Sequence, residues 1–406
     1  MSETQAQPSL SAFPDEPVLS IQASPARAVS RSKPKTTKSK IAANVDENDR
    51  QAEGPLMTAP QPTIPQSIGG FQVPVQVKLA TTTVNDSFQE IEKLQDCGIN
   101  VADLKKLKEA GLHSALSIIY TTRKDLCNIK GLSEQKVEKI LEAAKKLTDA
   151  GFVSGVEFAR QKSATRFHIS TGAPRIDALL GGGFESCGMT ELFGEFRCGK
   201  TQICHAISVI AQLPHSMGGA NGKVCYIDTE NTFRPDRVTA IAVAYNLDPN
   251  QVLANILYAR CYTSDHLVQL LTHVAAKMAE EKYGLMIVDS IMAPFRVDFS
   301  GRGELAERQQ ILSKVLSRMQ KLSEEFNIPV VMTNQVMADP AAAMTFAANP
   351  PKPIGGHILA HFSTTRLALR KGRAEQRVMK IIDSPCLAEA DAVFEICEKG
   401  IQDAKE

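Results

Sequence analysis

Gly194-Glu195-Phe196-Arg197-Cys198-Gly199-Lys200-Thr201 fits the pattern G-x-x-x-x-G-K-[ST]. Glycines at these positions let successive backbone N–H groups point inward and cradle phosphate oxygens. Lys200 is placed to reach the β- and γ-phosphates, and Thr201 to offer its hydroxyl to Mg²⁺. The flanks suit such a loop: Met189 to Phe193 reads as a strand entering it, and Gln202 to Gln212 as a helix leaving it. The chemistry implied is the binding of a nucleoside triphosphate.

Such a site needs a second anchor for Mg²⁺. Leu285-Met286-Ile287-Val288-Asp289 is an apolar strand that ends in a carboxylate, and ligands of open α/β sheets gather at that edge. Hydrolysis also needs a group to activate water. Tyr226-Ile227-Asp228-Thr229-Glu230 brings a carboxylate to the end of another strand, and Glu230 is the candidate general base. Thr333-Asn334-Gln335 ends a third, where Gln335 can sense the γ-phosphate.

The elements that must position these groups alternate between apolar strands and longer helical stretches. That alternation signals an α/β core with a mostly parallel sheet. The strands expected are Lys223 to Asp228, Leu285 to Asp289, Val330 to Asn334, Arg366 to Leu369 and Val378 to Ile382. The last two are read as paired through a turn near Lys371-Gly372. Two segments leave the sheet as irregular loops. Phe295 to Glu304 carries Arg296 and Arg302 beside aromatic residues, a pairing suited to nucleic-acid backbone and bases. Val336 to Pro353 holds four prolines and no clear period, which in a compact domain marks a functional or disordered loop.

With 406 residues, the chain has room for about two to three domains. Residues 1–80 read as a disordered tail, because ten of the 21 prolines fall in the first 75 residues and little there can form a core. Its basic cluster from Arg27 to Lys40 is either a nuclear-import or DNA-tethering element or a solvated linker. Residues 81–148 read as a small helical domain with Leu104, Leu107 and Leu112 at helical spacing. Its segment Asn128 to Val137, with Gly131 to turn the chain and Ser133 to cap a helix, resembles a helix-hairpin-helix module. Such hairpin amides hold a DNA phosphate; a plain helical bundle is the other reading. Residues 149–170 read as a linker, and 171–406 as the core. The net charge of +1 neither favours nor excludes a nucleic-acid partner. Nine cysteines without a C-x-x-C pair speak against a zinc site or a disulfide framework, and no apolar run is long enough to span a membrane.

Taken together, the segments from about residue 83 to 406 resemble the eukaryotic RecA-like DNA strand-exchange recombinases. The stretches that carry the resemblance are Gly194 to Arg197, Tyr226 to Arg237, Phe299 to Leu305 and Pro353 to Gly356. Asn231, Leu305 to Gln310 and Met337 to Pro340 make it more similar to the meiosis-specific member than to the mitotic one. The resemblance implies a nuclear protein that forms a helical filament or ring on single-stranded DNA. It implies exchange of strands with homologous duplex DNA, hydrolysis of ATP with Mg²⁺ between adjacent subunits, and accessory recombination proteins as partners. General double-strand-break repair and a non-catalytic mediator role are the alternatives, and the joint presence of Lys200, Glu230, Asp289 and both loops speaks against the second.

By the same resemblance, Gly194 through Gln202 would surround the nucleotide and Arg237 would pack on the adenine. His361, Asp383 and Pro385 would approach from the neighbouring subunit. Arg296, Gly301, Arg302, Gly303, Met337, Asp339 and Pro340 would bind DNA, and Phe152 with Gly155 would dock subunits. Some positions depart from the family pattern: Cys198 stands where Thr is usual, Gly155 where Ala is, Ala388 where Pro is, Pro351 where Lys is, and Phe362 where a small residue is.

Overall fold

The computed structural model describes residues 88–148, 151–337 and 352–405. The basic tail, Pro351, and Asp339 and Pro340 of the second loop lie outside the described residues.

The first helices are short and start at well-defined caps. They are α1 (Val101–Glu109), α2 (Ala115–Ile119), α3 (Arg123–Cys127) and α4 (Glu134–Leu147). Asn100, Ser114 and Thr122 each accept a backbone N–H from the first turn of α1, α2 and α3. Leu104, Leu107, Ile118, Leu126, Val137 and Ile140 form their shared core. Gly131 turns the chain at φ 85°, and Ser133 occupies the cap position of α4 without a side-chain cap bond. The stretch read as linker contains a helix, α5 (Gly155–Thr165). Ser154 caps it, Arg160 pairs with Glu157 one turn back, and none of its residues is buried. Local capping and side-chain pairs therefore define this helix, which packs none of its residues into the protomer core.

The core continues through β1 (His168–Ile169), α6 (Pro174–Leu179), β2 (Phe184–Glu185), β3 (Met189–Gly194), α7 (Lys200–Ile210) and β4 (Lys223–Asp228). Next come α8 (Pro235–Ala244), α9 (Pro249–Ala254), β5 (Ile256–Arg260), α10 (Ser264–Glu280), β6 (Tyr283–Asp289), α11 (Ala293–Asp298) and α12 (Leu305–Glu325). The chain closes with β7 (Val330–Asn334), β8 (Val336–Met337), β9 (Lys352–Pro353), α13 (Gly356–Phe362), β10 (Thr365–Lys371), β11 (Gln376–Asp383), β12 (Asp391–Cys397) and β13 (Gly400–Asp403).

The main sheet has the order β13-β12-β11-β10-β3-β7-β6-β4-β5. It is parallel from β10 to β5, while β11, β12 and β13 add antiparallel ladders at the other edge. The expected β10–β11 pairing is present; β5, β12 and β13 were not expected from the sequence. Alternate strand residues serve opposite faces, as a sheet buried on both sides requires. Val224, Tyr226, Leu285, Ile287 and Val331 pack with α7 and α8, whereas Cys225, Ile227, Met286, Val288 and Met332 pack with α10 and α12.

Helix α12 also carries the contacts to the N-terminal helices. Arg318 donates to the Gly111 carbonyl at 2.8 Å and Lys321 to that of Tyr120 at 2.7 Å. Ser114 donates to the buried Glu325 carboxylate, and Phe88 stacks on Phe326. Burial raises the Glu325 carboxyl above its ordinary value, outweighing the Ser114 hydrogen bond and Arg318. The folded state thus holds a proton that the unfolded chain has already released, and this residue's contribution to stability falls as pH rises through that window. We expect Glu325→Gln to gain stability relative to the parent protein as pH is raised from about 4 to 8. Urea unfolding across that range tests this; a difference that stays flat or reverses would refute the burial argument.

Candidate active site

Every residue of β3 is buried up to the point where the chain turns into the phosphate-loop sequence. The turn depends on glycine. A Cβ on Gly194 would lie 2.2 Å from the Leu369 carbonyl oxygen, and one on Gly199 would lie 2.9 Å from the Ile396 side chain. Gly199 also has φ 104°, in the left-handed region, where it begins α7. The loop so formed borders a cleft of about 920 Å³. Gly194 through Gln202, Glu230, Arg237, Asp289 and Gln335 all line it, so most of the residues singled out in the sequence converge. The amides of the loop, the start of α7 and the Lys200 ammonium suit a triphosphate. Lys200 Nζ meanwhile donates to the carbonyls of Gly194 at 2.9 Å and Glu195 at 3.0 Å.

Asp289 ends β6 with its carboxylate buried. Its Oδ2 accepts Thr201 Oγ1 at 2.8 Å, Tyr226 OH at 3.1 Å and Thr232 Oγ1 at 3.3 Å, while Oδ1 accepts Thr333 Oγ1. Burial raises its pKa and the hydroxyl donors oppose that rise. A hydroxyl and a carboxylate side by side at the foot of the phosphate loop form an oxygen-donor set suited to Mg²⁺.

A second chain of contacts leads out of the cleft. Glu230 Oε1 accepts Ser290 Oγ at 2.8 Å and Gln335 Nε2 at 2.6 Å. The other end of Gln335, Oε1, accepts the guanidinium of Arg296. Arg296 lies on α11, so the segment read as one irregular loop begins as a helix, opened by Pro294 in its first turn. Gly301 and Gly303 follow, and residues 302–304 form a 3₁₀ turn tied by Glu304 to the Gly301 amide at 2.8 Å. Phe295 is buried in the core and cannot stack on a base; Phe299 packs against it. Met337 is exposed at the start of the second loop, and the Ile354 amide at that loop's far end donates to the Gln335 carbonyl at 3.0 Å.

Arg237 reaches the cleft wall with its guanidinium engaged by Gln202 at 2.8 Å and by the Cys397 and Glu398 carbonyls. His361, Asp383 and Pro385 are exposed and do not line the cleft within one protomer, and neither do Phe152 and Gly155. Sequence reasoning missed Ser290, Thr333, Glu375 and Arg377 as lining residues. Ser290 was findable as the residue after the strand carboxylate. Glu375 and Arg377 arrive from the antiparallel edge, for which no motif signalled proximity. Among the described residues no group of three or more metal-ligating side chains of the His, Cys, Asp and Glu type occurs, and no helix is long and apolar enough to cross a membrane.

Compared with known proteins, the chain matches the Rad51 family over residues 161–404. It is 59% identical over 321 residues to the meiotic recombination protein DMC1/LIM15 homolog of Homo sapiens, a match covering 79% of this chain and 94% of that protein. To the meiotic recombination protein DMC1 homolog of Lilium longiflorum it is 54% identical over 342 residues, covering 83% and 97%. The corresponding Arabidopsis thaliana protein is 54% identical over 322 residues, covering 79% and 93%.

Lys200 lines the cleft with its ammonium held at the phosphate-loop carbonyls, a position suited to a triphosphate ligand. Lys200→Ala should weaken affinity for a fluorescent nucleoside triphosphate by about a hundredfold or more while leaving the melting temperature nearly unchanged. Affinity retained within a few-fold would remove Lys200 from the site.

Proposed function

The chain belongs to the Rad51 family, and from that premise we propose that it is a meiotic recombinase that binds ATP and Mg²⁺, polymerises on single-stranded DNA and exchanges strands with a homologous duplex in the nucleus. One observation carries the reading: Gln335 joins the Glu230 carboxylate to Arg296. A group suited to activating water is thereby bonded, through one side chain, to a cation on the first loop. The three relatives named above are proteins of meiotic recombination, which supports the biological setting.

Bound Mg²⁺ would neutralise charge on the phosphates, held by the Thr201 hydroxyl with Asp289 behind it. Lys200 supplies a positive charge beside the transferring group. Glu230 accepts a proton from water, with Ser290 and Gln335 aiming its carboxylate. Burial of Asp289 within a ring of hydroxyls keeps the donor set in place before any ligand arrives. Gln335 is the link to DNA. A nucleotide that competes for its amide alters what Arg296 is bonded to, and the same backbone position holds the end of the second loop through Ile354. Arg302, Gly301, Gly303, Met337, Asp339 and Pro340 extend the DNA surface in this reading. In this reading Arg237 would meet the base, and His361, Asp383 and Pro385 would complete the site from an adjacent copy. Phe152 is fully exposed and heads an unburied helix, which suits docking onto a neighbour.

Strand exchange between homologous DNAs, with and without ATP, is the direct test; ATP-dependent joint molecules are expected, and their absence at saturating protein would overturn the recombinase reading. Glu230→Gln should keep ATP affinity and lower DNA-stimulated turnover by about a hundredfold. Unchanged turnover would move the base elsewhere. Arg296→Ala should weaken single-stranded DNA binding and reduce the slope of log affinity against log salt by about one, because one phosphate contact releases its counterion. A wild-type slope would argue that Arg296 contacts protein only.

A further inference from the structure

Asp228 is the last residue of β4 and its side chain is shut off from solvent. Its Oδ1 accepts the backbone N–H groups of Glu230 at 3.0 Å, Asn231 at 2.7 Å and Thr232 at 3.2 Å. Its Oδ2 accepts that of Phe233 at 3.1 Å. Four consecutive amides of the turn that carries Glu230 therefore converge on one carboxylate. From β5 at the sheet edge, Tyr258 donates its hydroxyl to Oδ2 at 3.2 Å. Arg260 donates to the Asp228 carbonyl at 3.0 Å and lies 3.4 Å from Oδ1. Asp228 does not line the cleft, so it touches neither nucleotide nor attacking water.

Every one of these partners is a donor. Only an ionised carboxylate, which accepts at both oxygens and donates nothing, satisfies them all. An amide of the same shape would turn an NH₂ toward backbone N–H groups. The turn is fastened on its other side as well. The Thr229 amide donates to the Asp289 carbonyl at 2.8 Å, and the Thr229 hydroxyl donates to the Ser290 carbonyl at 2.8 Å. Asn231 sits at φ 61°, a left-handed conformation that Asn tolerates better than most residues. The Glu230 side chain has several rotatable bonds, and a base acts only within hydrogen-bond reach of the proton that it takes. Ser290 and Gln335 fix its tip, and the gathered amides fix its root.

We propose that Asp228 is a positioning residue for hydrolysis: it sets the reach and direction of Glu230 by collecting the amides of 230–233, with Tyr258 and Arg260 of the edge strand holding the carboxylate in register. The inference rests on the reading of Glu230 as the base.

The test compares Asp228→Asn and Tyr258→Phe in the full chain, each alone and combined with Glu230→Gln. DNA-stimulated hydrolysis, the KM for ATP and the melting temperature are measured for all of them. Tyr258 is partly exposed and its replacement removes one hydroxyl, so this variant keeps the test open if Asp228→Asn fails to fold. We expect kcat to fall about threefold for Tyr258→Phe and about tenfold or more for Asp228→Asn, with KM for ATP within about twofold of the parent. Neither change should lower the residual rate of the Glu230→Gln protein, because the group being aimed is already gone. An equal loss in both backgrounds, or a raised KM with kcat intact, would overturn the inference while leaving Glu230 as the base. An unaltered rate for Glu230→Gln alone would overturn the reading of Glu230 and the inference with it.

Discussion

A carboxylate removed from water must be matched by donors, and the site is organised around two that are, Asp289 and Asp228. Both end strands of one parallel sheet, and the register sets them directly opposite each other on β6 and β4. Parallel pairing makes neighbouring strands finish together, so polar ends that an antiparallel sheet would scatter are collected at a single edge. The cost of burial is then met by whatever the adjacent strands and loops present: hydroxyls from Thr201, Tyr226 and Thr333 around Asp289, and amides from 230–233 around Asp228. The phosphate loop, the turn that carries Glu230 and the start of the second loop are thereby tied to one another before any ligand binds.

In the proposed reading, the same edge is what joins ATP hydrolysis to DNA binding. Strands β6 and β7 each carry a residue of the cleft at their ends and then run without a long spacer into the two loops. Gln335 is the shortest connection, one side chain with an acceptor at one face and a donor at the other. Behind it, Asn334 is buried and donates to Glu191 at 2.7 Å and to the Ile354 carbonyl at 2.6 Å, and Glu191 also accepts Arg366 at 2.7 Å. A buried, charge-paired network therefore anchors the strand at the root of Gln335.

How much of this was legible in the sequence follows from how local each signal is. The phosphate loop and strands β4, β6 and β7 announce themselves, because a glycine pattern and an apolar run ending in a carboxylate are properties of adjacent residues. Strand β5 was missed because its apolar run, Ile256 to Ala259, is short and follows directly on α9, and a short apolar run does not by itself separate strand from helix. The role of Asp228 was missed because its partners are backbone amides, which leave no trace in residue identity. Phe295 read as a stacking residue beside Arg296, yet its ring belongs to the core; on a short helix, adjacent positions face different sides. Glu375 and Arg377 could not be found at all, since their approach to the cleft depends on a sheet topology that only the fold specifies.

The departures from the family pattern divide along the same line. Cys198 replaces a hydroxyl residue in the phosphate loop, and its thiol is buried beneath the loop, 3.7 Å from Lys200 Nζ, where burial keeps it protonated. As a small, neutral, largely apolar group it fits a position that contributes its backbone to the cleft, and the protomer alone accounts for it. Gly155 is different. It opens α5 with no contact that excludes a side chain, and a Cβ there would meet nothing within 4 Å. Nor does its backbone need glycine, since it is not among the glycines at positive φ. Phe152 before it is wholly exposed, and Val156 and Phe158 after it are largely exposed. Large apolar side chains exposed around a helix that buries nothing mark a candidate interaction surface, and nothing within the protomer explains why glycine stands at 155.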